Sequence, residues 1–189
     1  MVESEYSLEY FISAYKKFSN DFSGLNEITK LAINIESKLG YRNIDKILDV
    51  IKNKSLPISY IVIGRSDLSS SLNISNVNSE KIFNISKDIL RKSYLCDIKC
   101  TLGGNITSES YEFINKLKAF NLYAFETRKT TFNFSKVISK KEFDNIIKLS
   151  LEFELAWLRL KSSMYALRSN EENARISTIN NRLKVNTND

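Results

Sequence analysis

The chain reads as an α/β protein: a partial TIM (β/α)8-type barrel of about five parallel strands with crossover helices, followed by a long C-terminal helix. Three observations predict it. Strand-like and helix-like patterns alternate along residues 1–135 at a spacing of roughly thirty, the order expected of a parallel sheet with helical crossovers. Asn34, Glu36, Lys99, Glu126 and Arg128 all fall on the strand face opposite the aliphatic one. An open doubly wound sheet is apolar on both faces, whereas a barrel interior is polar near its top. Beyond Ser139, apolar residues recur at helical spacing for longer than one barrel helix needs. Five units cannot close an eight-stranded barrel, so residues 1–135 read as strands four to eight, and residues 136–189 as a helical extension expected to oligomerise.

The elements follow in order. MVES is the end of a strand, and Leu8, Phe11, Ile12, Tyr15 and Phe18 then predict a helix over about Ser7 to Lys17. Leu31, Ile33 and Ile35 alternate with Ala32, Asn34 and Glu36, which is a strand with one apolar face. Asn43 caps a helix whose stripe is Ile44, Ile47, Leu48 and Ile51, and Pro57 closes the connection. Ile61 to Ile63 is the next strand, with a serine-rich turn after it and a helix over Ser79 to Ser93. Strand CDIKCTLGG, helix TSESYEFINKLKAF and strand LYAFETRK complete the units. The tail helix carries Phe143, Ile146, Ile147, Phe153, Trp157, Leu160, Met164 and Leu167, and from Asn170 a short second helix is expected before the end frays.

Composition narrows the function. A chain of 189 residues with 42% apolar and 26% charged residues fits one globular domain. No apolar run is long enough to span a membrane and the N-terminus is acidic, so the default expectation is cytoplasmic. The net charge is +6, but the cations are scattered beside Asp and Glu, which argues against a nucleic-acid interface. Cys96 and Cys100, four apart on a strand, lie too far apart for a disulfide and read as reduced core thiols. The chain has no His at all. That excludes Ser-His-Asp and Cys-His catalysis and leaves oxygen as the donor for any metal.

The chemistry-bearing residues sit at strand ends. Glu36 ends one strand and Asp67 follows the next, so in a parallel barrel both face the top, where active sites lie. Two carboxylates, with water and a chelating substrate, suit Mg²⁺ or a similar octahedral ion. The alternative is that Glu36 pairs with an interior cation and Asp67 caps a turn. Gly64 either admits close backbone approach to a ligand or makes a tight turn, and the amides of Ser66 and Asp67 could face an anionic carboxylate. Gly103, Gly104 and Asn105 lead into a helix, as an anion loop or as a plain turn, with Arg128 and Lys129 as neighbouring positive charge. Lys99 and Glu126, on adjacent strands, are expected to pair with each other.

The run NIES, the helix of IDKIL and the stretch IGRSDLSSSL together resemble the HpcH/HpaI aldolase and citrate lyase beta-subunit family over about residues 1–135. That family's pattern is a strand ending in Glu and a later strand ending in a G-x-x-D-L loop, matched here by Glu36 and by Gly64, Asp67 and Leu68. The resemblance implies a metal-dependent carbon–carbon lyase or aldolase acting on a small oxo acid through a metal-stabilised enolate. It implies that Glu36 and Asp67 bind Mg²⁺ or Mn²⁺ and that the amides of Ser66 and Asp67 hold the substrate carboxylate. Arg65 stands where many relatives have Pro and is a candidate catalytic charge, as is Arg128. The family's carbonyl-polarising arginine comes from an earlier strand, so the alternative is a catalytically incomplete half-barrel that needs a partner chain.

Overall fold

The computed structural model describes residues 1–21, 30–133 and 139–185. It divides into two compact units, Met1–Ile147 and Lys148–Asp189. The first unit is a five-stranded sheet in the order β1-β2-β3-β4-β5. Its strands are β1 (Leu31–Ile35), β2 (Ile58–Gly64), β3 (Lys99–Gly103), β4 (Leu122–Glu126) and β5 (Thr131–Asn133). β1 to β4 pair in parallel, and β5 pairs antiparallel with β4.

The helices between the strands are α1 (Glu5–Asp21), α2 (Lys38–Arg42), α3 (Ile44–Asn53), α4 (Arg65–Ser71), α5 (Glu80–Tyr94) and α6 (Tyr111–Lys118). Serine side chains take up free amides at the starts of α1, α2 and α5, whereas Asn43 stands at the N-cap of α3 without a side-chain cap bond and donates instead to Glu3 O at 2.8 Å. Ser4 and Ser7 exchange hydrogen bonds ahead of α1, Ser37 Oγ accepts from Gly40 N at 3.0 Å, and Ser79 Oγ caps α5 through Ile82 N. The stripe Ile44, Ile47, Leu48 and Ile51 is buried as its spacing predicts. It joins Ile82, Ile89, Ile114 and Leu117 in one core against Ile33, Ile35, Ile61, Ile63, Leu102 and Phe125. Cys100 lies in that core, where burial pushes its thiol up to about 12, and both cysteines are free.

The opposite sheet face bears Asn34, Tyr60, Val62 and Tyr123, all half-buried, with Lys99 exposed at its lower end. Asn34 and Lys99 thus lie on this face as expected for a barrel wall, beside Tyr60, Val62 and Tyr123, whereas Arg128 lies beyond the end of β4. Four of the expected strands form as parallel or edge elements, with two differences. The MVES segment is not a full strand, although Val2 is buried and its amide donates to Asn34 O at 3.0 Å, beside the outer edge of β1. The strand LYAFETRK ends at Glu126, not at Lys129. Thr127 N donates to Thr130 O at 2.8 Å, and the chain turns back to form β5. TTFNF is rich in Thr and Phe, and an edge strand suits those residues.

The last helix, α7, runs unbroken over Lys140–Val185. The separate helix expected from Asn170 is corrected: residues 170–185 contain no Gly or Pro, and Glu171, Glu172, Ala174 and Arg175 keep the helix going. The sequence-derived boundary at residues 135 and 136 lies outside the described residues. Among the described residues no helix is long and apolar enough to cross a membrane.

Candidate functional site

The C-terminal ends of β1 to β4 converge on a floor made by two glycines. Gly64 and Gly103 are register partners at the ends of β2 and β3. A Cβ built on Gly64 would lie 2.7 Å from Glu36 Oε2 and 2.8 Å from Glu36 Cβ. One built on Gly103 would lie 3.0 Å from Glu126 Oε1 and 3.1 Å from Glu126 Cγ. The two glutamates thus lean inward from β1 and β4 and settle on the glycines between them. A side chain at Gly64 would make Glu36 shift, and one at Gly103 would press on Glu126.

Electrostatics record the same proximity. The carboxyl of Glu126 is held above its ordinary range, first by burial and then by the negative charge of Glu36. Sequence reasoning missed Glu126 as a site residue, assigning it to Lys99. The structure corrects that pairing: Lys99 opens β3 opposite Tyr60, whereas Glu126 ends β4 beside Gly103, a full strand length away. Lys99 Nζ instead lies 4.6 Å from the centre of the Tyr123 ring. The signal was available in the register, since Glu36 and Glu126 both end strands that flank a strand-ending glycine.

Beside this floor, Gly64 passes directly into α4, so the stretch read as a turn is a short helix with Leu68 buried beneath it. Asp67 lies exposed in its first turn, and Ser66 is half-buried. The Gly103-Gly104-Asn105 loop packs on the start of α4. Gly104 has φ of +84°, and a Cβ there would come within 2.5 Å of Ser66 N. Asn105 also takes a positive φ, of 49°.

Arg65 does not reach the sheet face. It is fully buried, and its guanidinium donates to Gly103 O at 3.3 Å, Gly104 O at 2.8 Å and Asn105 O at 3.2 Å. Further bonds run to Asn78 Oδ1 at 2.6 Å and Ser110 Oγ at 3.3 Å, with the Phe113 ring 5.0 Å away. Burial lowers its pKa to about 10, which leaves it charged at neutral pH. The expectation of a catalytic Arg65 is therefore corrected: this side chain is a clamp that fixes the glycine loop against α4. Arg128 and Lys129 are exposed in the turn between β4 and β5, at the same end of the sheet as Glu126.

Among the described residues, no group of three or more Asp, Glu, Cys and His side chains is placed to hold a metal ion by itself. A cation here would take protein carboxylates together with water or substrate oxygen.

No protein-family model matches the chain, and no curated protein matches it in sequence. Solved structures do match. An HpcH/HpaI aldolase/citrate lyase family protein from Burkholderia cenocepacia J2315 superposes with a TM-score of 0.51 at 9% identity, over 66% of this chain and 55% of that one. The fold is that of HpcH/HpaI aldolase/citrate lyase proteins. Citrate synthase SbnG superposes with a TM-score of 0.53 at 17% identity, over 86% of this chain and 62% of that one. The chain thus spans less than two thirds of either structure, and the HpcH/HpaI likeness is one of fold.

Proposed function

We propose that the chain is a metal-dependent carbon–carbon lyase or aldolase acting on a small oxo acid. The observation that carries this reading is the pair Glu36 and Glu126 flanking the Gly64–Gly103 floor at the strand ends of an HpcH/HpaI-type fold. The donor set fits a hard cation. It is all oxygen, and while burial is the main cause that raises Glu126, the added repulsion from Glu36 is what a bound cation would relieve. Glu36 and Asp67 would hold Mg²⁺ or Mn²⁺. When bound, the ion supplies Lewis-acid charge beside an oxygen that becomes negative during the reaction.

The remaining work falls to the chain's own groups. Glu126, kept protonated to higher pH than an ordinary carboxylate, can hold and move a proton above the glycine floor. The amides of Ser66 and Asp67 would take the substrate carboxylate, with Gly104 and Asn105 shaping the wall beside them. Arg128 and Lys129 add positive charge at the rim, and Arg65 keeps the loop in register.

Two measurements test the reading. Purified protein titrated with Mn²⁺ and followed by electron paramagnetic resonance should bind the ion, about tenfold or more weaker in Glu36→Gln and in Asp67→Asn. Unchanged binding in both variants sinks the site assignment. With Mg²⁺ present, the methyl protons of pyruvate should exchange into deuterated water, and Glu126→Gln should slow that exchange by about a hundredfold. A second reading, a subunit that needs a partner chain to complete its site, is favoured by the half-exposed sheet face at Tyr60, Val62 and Tyr123. In that case exchange would appear only when an oligomer forms.

A further inference from the structure

A second concavity lies at the outer rim of the same strand ends, where α2, the end of α4 and the start of α5 meet. It is an open cavity of about 590 Å³, within the range of small-ligand sites. Lys38 and Arg42 line it from α2, at a spacing that puts them on one helix face. Lys81 and Asn84 line it from α5, again on one face. Its apolar part comes from Leu72 and Ile85.

Several cations on the neighbouring helix surfaces are already paired. Lys46 pairs with Glu5 at 3.7 Å, Lys92 with Asp45 at 2.9 Å and Asp88 at 3.0 Å, and Lys54 with Glu9. Lys38, Arg42 and Lys81 form no side-chain ion pair or hydrogen bond among the described residues. Glu80 is the single carboxylate on the lining, so three positive charges face one negative and the cavity is left at +2. The Tyr41 hydroxyl, which also lines the cavity, is already given to Asp88 Oδ2 at 3.2 Å and does not compete for a ligand.

The rim is also fixed in place. Lys38 N donates to Ser71 Oγ at 2.8 Å, which ties the start of α2 to the end of α4, and Ser71 Oγ is itself held by Leu68 O at 2.8 Å. Three unpaired cations from two anchored helices, over an apolar floor, match a multiply charged anion attached to an organic body. Arg42 brings a planar fork of donors, and the two lysines bring point charges; that combination suits a tetrahedral phosphate.

We propose that the cavity between α2 and α5 is a binding site for a small organic phosphate, held by Lys38, Arg42 and Lys81. The site does not depend on Glu36 or on metal chemistry. Lys38 nevertheless follows Glu36 by two positions, so a bound phosphate lies on the loop that leaves β1.

The test is calorimetric titration of the full chain with inorganic pyrophosphate at constant ionic strength. Saturable binding is expected, about threefold to tenfold weaker in each of Lys38→Gln, Arg42→Gln and Lys81→Gln, and lost in the triple variant. All three residues are surface groups, and unchanged thermal melting of the variants confirms intact folding. Lys116→Gln, an exposed lysine on α6, should bind as the parent does, and so should Glu36→Gln, which separates this site from the proposed metal centre. Three results would overturn the proposal: no saturation, equal weakening in Lys116→Gln, or undiminished binding in the triple variant. Tight binding of a short RNA that depends on the same three residues, without pyrophosphate binding, would assign the surface to nucleic acid instead and overturn it too.

Discussion

Glu126 is where one side chain's environment says most about the chemistry. Its carboxyl is half-buried against Gly103 and faces the charge of Glu36, and both effects favour the protonated form. The folded state therefore binds this proton more tightly than the unfolded chain, so the group's contribution turns unfavourable as pH rises through the window between the two pKa values. Glu126→Gln should leave stability unchanged below that window and raise it above, by less than about 1 kcal/mol after solvent screening. Urea unfolding at pH 4 and pH 7 checks both halves. A variant equally stabilised at both pH values would show that charge is not the cause. Burial is the larger effect, so Glu36→Gln should bring the Glu126 carboxyl only part of the way back to its ordinary range.

Among the elements, the junction of β2, α4 and the glycine loop is held together by the buried hydrogen bonds of Arg65. Gly104 at positive φ lets the loop lie on the first amides of α4, and Arg65 secures the loop by its carbonyl oxygens. Arg65→Met would leave those buried acceptors without donors and should cost about 3 kcal/mol or more, read as a lower urea midpoint with an unchanged slope. Arg65→Lys cannot serve three carbonyls in the plane of one fork and should recover only part of the loss. Neither α4 nor β5 was foreseen. The serines of RSDLSSS are favoured at caps and turns, yet here they lie in a helix that buries Arg65, Leu68 and Ser69. β5 exists because Thr127 and Thr130 close a turn, with their hydroxyl oxygens 2.7 Å apart.

Taken whole, the molecule consists of one unit with a packed core and a second that exposes its apolar side chains. In Lys148–Asp189, Phe153, Trp157, Leu160, Met164, Tyr165 and Leu167 are between 46% and 64% exposed along a single helix. An apolar helical surface of that length is stabilised by burial against another helix. We propose that it pairs with a second copy of the chain. Sedimentation equilibrium should give a mass above that of one chain, and the double variant Leu160→Glu, Met164→Glu should reduce it. A monomeric parent protein would contradict the expectation.

By itself the sequence determined the alternation of elements, the apolar stripes of α3 and α5, the polar sheet face and the position of Glu36 at a strand end. Each of these follows from periodicity or from a local cap, which a linear chain displays directly. Only the tertiary structure decided which charges meet. Lys99 and Glu126 share a sheet face but stand at opposite ends of their strands, while Glu36 and Glu126, ninety residues apart in sequence, are brought together by parallel register over two glycines. Arg65 makes the same point. Its neighbours in sequence placed it at the site, and burial under the glycine loop turned it away, because a guanidinium surrounded by carbonyl oxygens gains more from them than from an open face.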